Sequence, residues 1–156
     1  MARRELTLAG LRALEGQEIG TTGWHLLDQD TIAAFAATTG DTERIHLDAA
    51  AARAQGLGGI IAHGLLTLSL GPMFHQELLA VTDHSRVLNY GFEKVRFLEP
   101  VPVDSSIRMR LRLERVRPIE GGSAFHLDQA FELRYPDGTV AERPACVAGG
   151  VVAYFD

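Results

Sequence analysis

A chain of 156 residues has room for one hydrophobic core of ordinary size and none for a second domain. Its composition, 46% hydrophobic and 22% charged, excludes a disordered or fibrous chain, and a formal net charge of −5 argues against binding nucleic acid through a broad basic field. The single cysteine, Cys146, rules out an internal disulfide and multi-thiolate zinc sites and fits a reducing cytoplasm, while Arg12 and Glu15 interrupt the apolar stretch after Arg3 and Arg4 before an export signal is complete.

A helix is expected around residues 8–14, followed by a short strand over 20–27 that contains Trp24. Asp28 then offers an N-cap, and Asp30 adds negative charge to the first turn of a helix over 31–39. Ile32, Phe35, Ala36 and Thr39 share one face of that helix, and Gly40 stands where a helix commonly ends in a left-handed residue. Asp41 therefore begins a loop fixed to a helix terminus. Residues 48–53 are alanine-rich and read as one or two helical turns, closed by Gly56, Gly58 and Gly59.

Residues 54–76 contain no Asp, Glu, Lys or Arg, and 23 residues are enough to span a bilayer. Glycines, Pro72 and His63 punctuate the stretch, however, so the expectation is a helix over 64–80 buried in a protein core. Strands follow over 87–95, 106–114, 124–135 and 139–155, separated by turn signals at Pro100 to Asp104, Glu120-Gly121-Gly122 and Pro136-Asp137-Gly138. In the second, Ile107, Met109, Leu111 and Leu113 alternate with Arg108, Arg110, Arg112 and Glu114; in the third, Phe125, Leu127, Phe131 and Leu133 alternate with His126, Asp128, Glu132 and Arg134. Strands with one wet face make an antiparallel sheet whose other face needs cover, and the long apolar helix is the element able to supply it. That is the hot-dog arrangement, an α+β fold in which an antiparallel sheet wraps a long central helix. Its free edge strand makes a homodimer the expected assembly.

The residues that carry chemistry are Asp41 and His46, five apart in the loop, and His63-Gly64 at the expected helix start. An imidazole exchanges protons near neutrality, and a carboxylate orients a water or accepts its proton. A helix start presents unpaired backbone N–H groups, and glycine lets an oxygen approach them closely, which suits a developing enolate. Spacing alone also fits a turn-capping aspartate and a surface histidine. The histidines at 25, 63, 75, 84 and 126 show no metal-ligand spacing, so no metal is expected.

Gly40-Asp41-Thr42-Glu43-Arg44-Ile45-His46 resembles the loop pattern Gly-Asp-x-Asn-Pro-aliphatic-His of the R-specific enoyl-CoA hydratases and MaoC-like dehydratases. The similarity continues through His46-Leu47-Asp48, the run from Ile61 to Ser69 with its His63-Gly64, the run from Asn89 to Phe97, and Pro100 to Asp104, covering about residues 16–112. It looks like the bacterial branch with nodulation-protein-N-like members. The resemblance implies that Asp41 and His46 hold the attacking water and that the Gly64 N–H binds the thioester oxygen. It implies reversible addition of water to a trans-2-enoyl thioester, on coenzyme A or a carrier protein, in metabolism of the fatty-acid kind, with no cofactor beyond the substrate's own CoA. Glu43 and Arg44 replace the family's Asn-Pro and are expected to face solvent. Ser69, Asn89, Lys94, Arg96, Arg108 and Arg110 are the candidate thioester and phosphate contacts, Arg112 a further cation, and an acyl tunnel is expected along Leu65, Leu68, Ser69 and Phe92 or Phe97. A hot-dog thioesterase, a noncatalytic acyl-thioester binder and a specialised dehydratase on carrier-bound polyketide-type substrates remain alternative readings.

Overall fold

The computed structural model describes residues 3–156; Met1 and Ala2, part of the stretch read for an export signal, lie outside the described residues. Strand β1 (Arg4–Leu6) runs into α1 (Leu8–Arg12), whose N-cap Thr7 accepts the Gly10 N–H at 3.1 Å. The strand expected over 20–27 is two strands, β2 (Glu18–Thr21) and β3 (His25–Leu27). Between them the Thr22 hydroxyl accepts the Met109 N–H at 2.9 Å, and Trp24 lies beneath the guanidinium groups of Arg108 and Arg134. The Thr22 N–H also donates to the Met109 carbonyl at 3.0 Å, so the hydroxyl and the stacking contacts supplement a backbone bond there.

Helix α2 (Gln29–Thr39) starts and stops where its caps dictate. Asp28 accepts the Thr31 N–H at 2.9 Å, and Gly40 takes the left-handed conformation, φ 78°, that a residue with a Cβ avoids. A 3₁₀ turn at Arg44–His46 leads to α3 (Ala49–Ala54), capped by Asp48.

The long buried helix needs correction. It is two helices, α4 (Gly64–Ser69) and α5 (Gly71–Leu78), interrupted at Leu70, with Pro72 in the first turn of the second, where a missing N–H is tolerated. Nor is it apolar on every buried side: Leu66, Thr67, Phe74 and Leu78 are buried, whereas Leu65 is 59% and Met73 40% exposed. The helix also ends before Ala80, because β4 (Leu79–Val81) pairs in parallel with β1. Among the described residues no helix is long and apolar enough to cross a membrane.

Four long strands complete the fold: β5 (Arg86–Phe97), β6 (Ser105–Ile119), β7 (Gly122–Arg134) and β8 (Cys146–Phe155). With β2 and β3 they form a six-stranded antiparallel sheet in the order β2, β6, β7, β8, β5, and β3 continues along the same edge of β6 as β2. The strand expected from residue 139 begins only at Cys146. Upstream, Asp137 accepts the Thr139 N–H in a turn, Arg134 and Val140 make one isolated bridge, and Pro144 has no N–H to give a ladder.

The alternation in β6 and β7 orients the sheet. Ile107, Met109, Leu111 and Leu113 pack with Phe125, Phe131 and Leu133 under Phe74 and Leu78 of α5, giving the hot-dog arrangement of a sheet curled around a central helical element. Phe74 is wholly buried between His25 and Phe131, with ring centroids 5.1 and 6.2 Å away. Strand β5 forms one edge of the sheet, opposite the edge made by β2 and β3, and Val87, Leu88, Tyr90, Phe92 and Phe97 stand exposed along it.

Candidate active site

The loop after α2 is tied down at both ends. Gly40 N–H bonds back to the Ala36 carbonyl at 2.9 Å, and the 3₁₀ turn buries His46 while leaving the Asp41 side chain exposed. The His46 Nδ1–H donates to the Ile61 carbonyl at 2.7 Å. A carbonyl can only accept, so this bond places the ring proton on Nδ1 and leaves Nε2 with a free lone pair. His63, also buried, donates its Nε2–H to the backbone carbonyl of Asp41 at 3.0 Å, and its Nδ1 has no partner among the described residues. The two imidazoles stack with centroids 3.7 Å apart and planes at 28°.

His63 is therefore more than a neighbour of the glycine: it ties the aspartate loop to the start of α4 across 22 residues. No local sequence signal reports such a bond. The spacing of the histidines along the chain shows no metal-ligand pattern, yet the fold brings ligand atoms of Asp41, His46 and His63 within 4.8 Å of one another. Near-parallel stacked rings aim their in-plane lone pairs side by side rather than at one point, so proton transfer suits the geometry better than cation coordination.

Gly64 opens α4, and its N–H is among the first-turn amides that a helix leaves without an internal partner. A Cβ at this position would lie 2.9 Å from the Phe97 ring, so the ring of β5 seals against bare backbone. Together Asp41, His46, Gly64, Leu65 and Phe97 border a cavity of about 350 Å³, which the segment from Leu98 to Val101 also lines. Glu43 is exposed and Arg44 pairs with Asp48, so both face solvent as expected.

Of the other candidates, Leu65 and Phe97 reach this cavity. Ser69 does not border it: its hydroxyl is turned back to the Leu66 carbonyl at 2.8 Å. Leu68 packs against the core, while Asn89 and Phe92 line a second chamber of about 200 Å³ beside α5. The cations lie on the outer face of the sheet, away from Asp41 and His46. Lys94 borders a charged hollow with Glu93, Arg115 and Asp128; Arg96 donates to the Val95 carbonyl; Arg108 and Arg110 both contact Glu132, at 2.7 and 3.5 Å; and Arg112 is exposed. Alternation put these side chains on the wet face, and the acidic residues opposite them satisfy part of their charge.

The chain is similar to several known proteins. A family model described as the MaoC like domain matches residues 11–128. The 3-hydroxyacyl-thioester dehydratase Z of Mycobacterium tuberculosis is 35% identical over 148 residues, 95% of each chain. Nodulation protein N of Rhizobium meliloti is 39% identical over 115 residues, 72% of this chain and 71% of its own length. Among solved structures, the (R)-hydratase from A. caviae involved in PHA biosynthesis superposes with a TM-score of 0.66 at 24% identity, covering 88% of this chain and 96% of the other.

Proposed function

From the premise that this chain belongs to the MaoC-like domain family and is a hydro-lyase, we propose that it adds water reversibly to a trans-2-enoyl thioester, giving the (R)-3-hydroxyacyl thioester. The observation that carries the reading is the locked tautomer of His46. With its proton held on Nδ1 by Ile61, Nε2 is a ready base beside the Asp41 carboxylate at the cavity mouth. Water held by these two groups loses a proton as its oxygen bonds to C3. The electrons of the alkene move onto the thioester oxygen as an enolate, the Gly64 N–H stabilises it, and the proton returns to C2 on the same face. Removing one oxyanion-hole donor in other enzymes costs about 10² to 10³ in rate. No cofactor is required beyond the CoA or carrier-protein group of the substrate itself.

His63 positions rather than reacts in this reading, since its bond to the Asp41 carbonyl sets the height of the carboxylate above the cavity. The exposed apolar row on β5 supports a homodimer in which a second copy covers this edge. Because Phe97 belongs to that row and also abuts Gly64, pairing would fix one wall of the site.

Incubation with a short trans-2-enoyl-CoA tests the reaction class. Loss of the conjugated alkene without release of free thiol is expected. Thiol release with the alkene intact would favour the thioesterase reading, and no change in either would favour a noncatalytic binder.

A further inference from the structure

The row of β7 side chains that faces the core reads Phe125, Leu127, Gln129, Phe131, Leu133, and the glutamine breaks it. Gln129 is 5% exposed. One end of its amide meets His75 Nε2 at 3.1 Å, and its Oε1 has no hydrogen-bond partner among the described residues. A buried polar group left unpaired is costly, so its presence in an apolar row points to a partner from outside the chain.

The surroundings are shaped for that amide. A Cβ on Gly150 would come within 2.5 Å of Nε2, so this glycine makes the room the amide occupies, while Gly71 packs in ordinary contact with Oε1. Gln129 faces the second chamber, which Asn89, Phe92, Tyr154 and His75 also line. No Asp, Glu, Lys or Arg borders the chamber, and burial pushes His75 down to about 4, which leaves the ring neutral at physiological pH. A charged ligand would therefore stand unpaired. A hydroxyl both donates and accepts, so it completes the glutamine whichever way the amide is turned.

The chamber also lies in line with the candidate active site. Gly64 and Phe97 border the first cavity; Gly71, His75 and Phe92 border the second, further along the same helical pair and the same strand. From Phe97 to Phe92 the strand path is roughly 16 Å at about 3.3 Å per residue. An acyl chain extended from the first cavity alongside β5 would therefore approach the chamber that Gln129 lines.

We propose that the chamber beside Gln129 and His75 is a subsite for a neutral hydroxyl carried on the distal part of the acyl chain, making this a hydratase selective for hydroxylated enoyl thioesters. The inference rests on the hydratase reading above. Gln129 and His75 bind and select here; they do not touch the reacting carbons.

The test is a panel of trans-2-enoyl-CoAs of increasing length, each with and without a terminal hydroxyl, assayed for hydration on the full-length protein. Once the chain reaches the chamber, kcat/KM for the hydroxylated member should exceed that of its plain partner about tenfold, the equivalent of roughly 1.4 kcal/mol. Gln129→Leu should bring that ratio to one or below, and His75→Leu should lower it. Because both substrates are assayed on one preparation, a partly unfolded variant does not alter the ratio. A preference for the plain chain, or none, at every length in the unsubstituted protein would overturn the inference, as would an unchanged ratio in Gln129→Leu. Failure to hydrate any member, the shortest included, would overturn the hydratase reading and this inference with it.

Discussion

Replacing Gly64 by alanine keeps the backbone N–H while filling the space that Phe97 uses. The new Cβ would lie 2.9 Å from Cδ1 of that ring, closer than such atoms approach in folded proteins, and a tight 3.0 and 3.1 Å from Cγ and Cε1. Overpacking of this kind costs about 1–3 kcal/mol, and alanine returns up to about 1 kcal/mol in helix propensity. The net loss of stability should stay below about 3 kcal/mol. Activity should suffer more. The ring is a wall of the cavity, and a displacement near 1 Å can cost on the order of 100-fold in rate. Thermal unfolding and hydration kinetics on Gly64→Ala, Phe97→Ala and the double variant close a double-mutant cycle. A coupling above about 1 kcal/mol in kcat/KM, with the double variant better than the product of the singles, is expected. Full activity in Gly64→Ala, or additivity in the double variant, would refute the account of why glycine stands there.

Three further outcomes follow from the same geometry. His75 has a folded-state pKa of about 4 against an ordinary 6.5, so the unfolded chain binds more protons between those values. Stability should fall as pH drops from 6.5 to 4, by at most about 3 kcal/mol, and level off below; His75→Leu should flatten that slope in chemical unfolding, and parallel slopes would count against it. Asp28→Ala removes the bond to the Thr31 N–H and should cost about 1 kcal/mol by the same measurement. Leu88→Lys puts a charge on the exposed β5 edge and should yield a monomer by sedimentation, whereas an unaltered mass would argue against pairing through that edge.

What could be read from the sequence was local. Asp28 and Gly40 bound α2 through contacts within four residues, and the alternation of β6 and β7 repeats every second residue, so both were visible without a structure. Asp41, His46 and Gly64, singled out through the family resemblance of the loop and the His-Gly step, line one cavity; the spacing alone also fitted a turn-capping aspartate and a surface histidine. The bond from His63 to the Asp41 carbonyl, the contact of Gly64 with Phe97 and the pairing of β1 with β4 join residues 22 to 75 positions apart, and no local pattern encodes them. The break at Leu70 was hidden for a different reason: Pro72 is tolerated in a first helical turn, so it signals a new start as readily as an interruption. Gln129 was skipped within the alternation of β7, although a polar residue in an apolar row is itself a signal.

The most direct test is the hydration rate of Asp41→Asn, His46→Gln and the double variant on one trans-2-enoyl-CoA, with the configuration of the product determined for the unsubstituted protein. Each single change should lower kcat by about 10² to 10⁴. Because the two groups act on one water, the double variant should be little slower than the worse single. An (R)-3-hydroxyacyl product accompanies that result. Wild-type turnover in either variant would contradict the assignment of Asp41 and His46 as the pair that activates water.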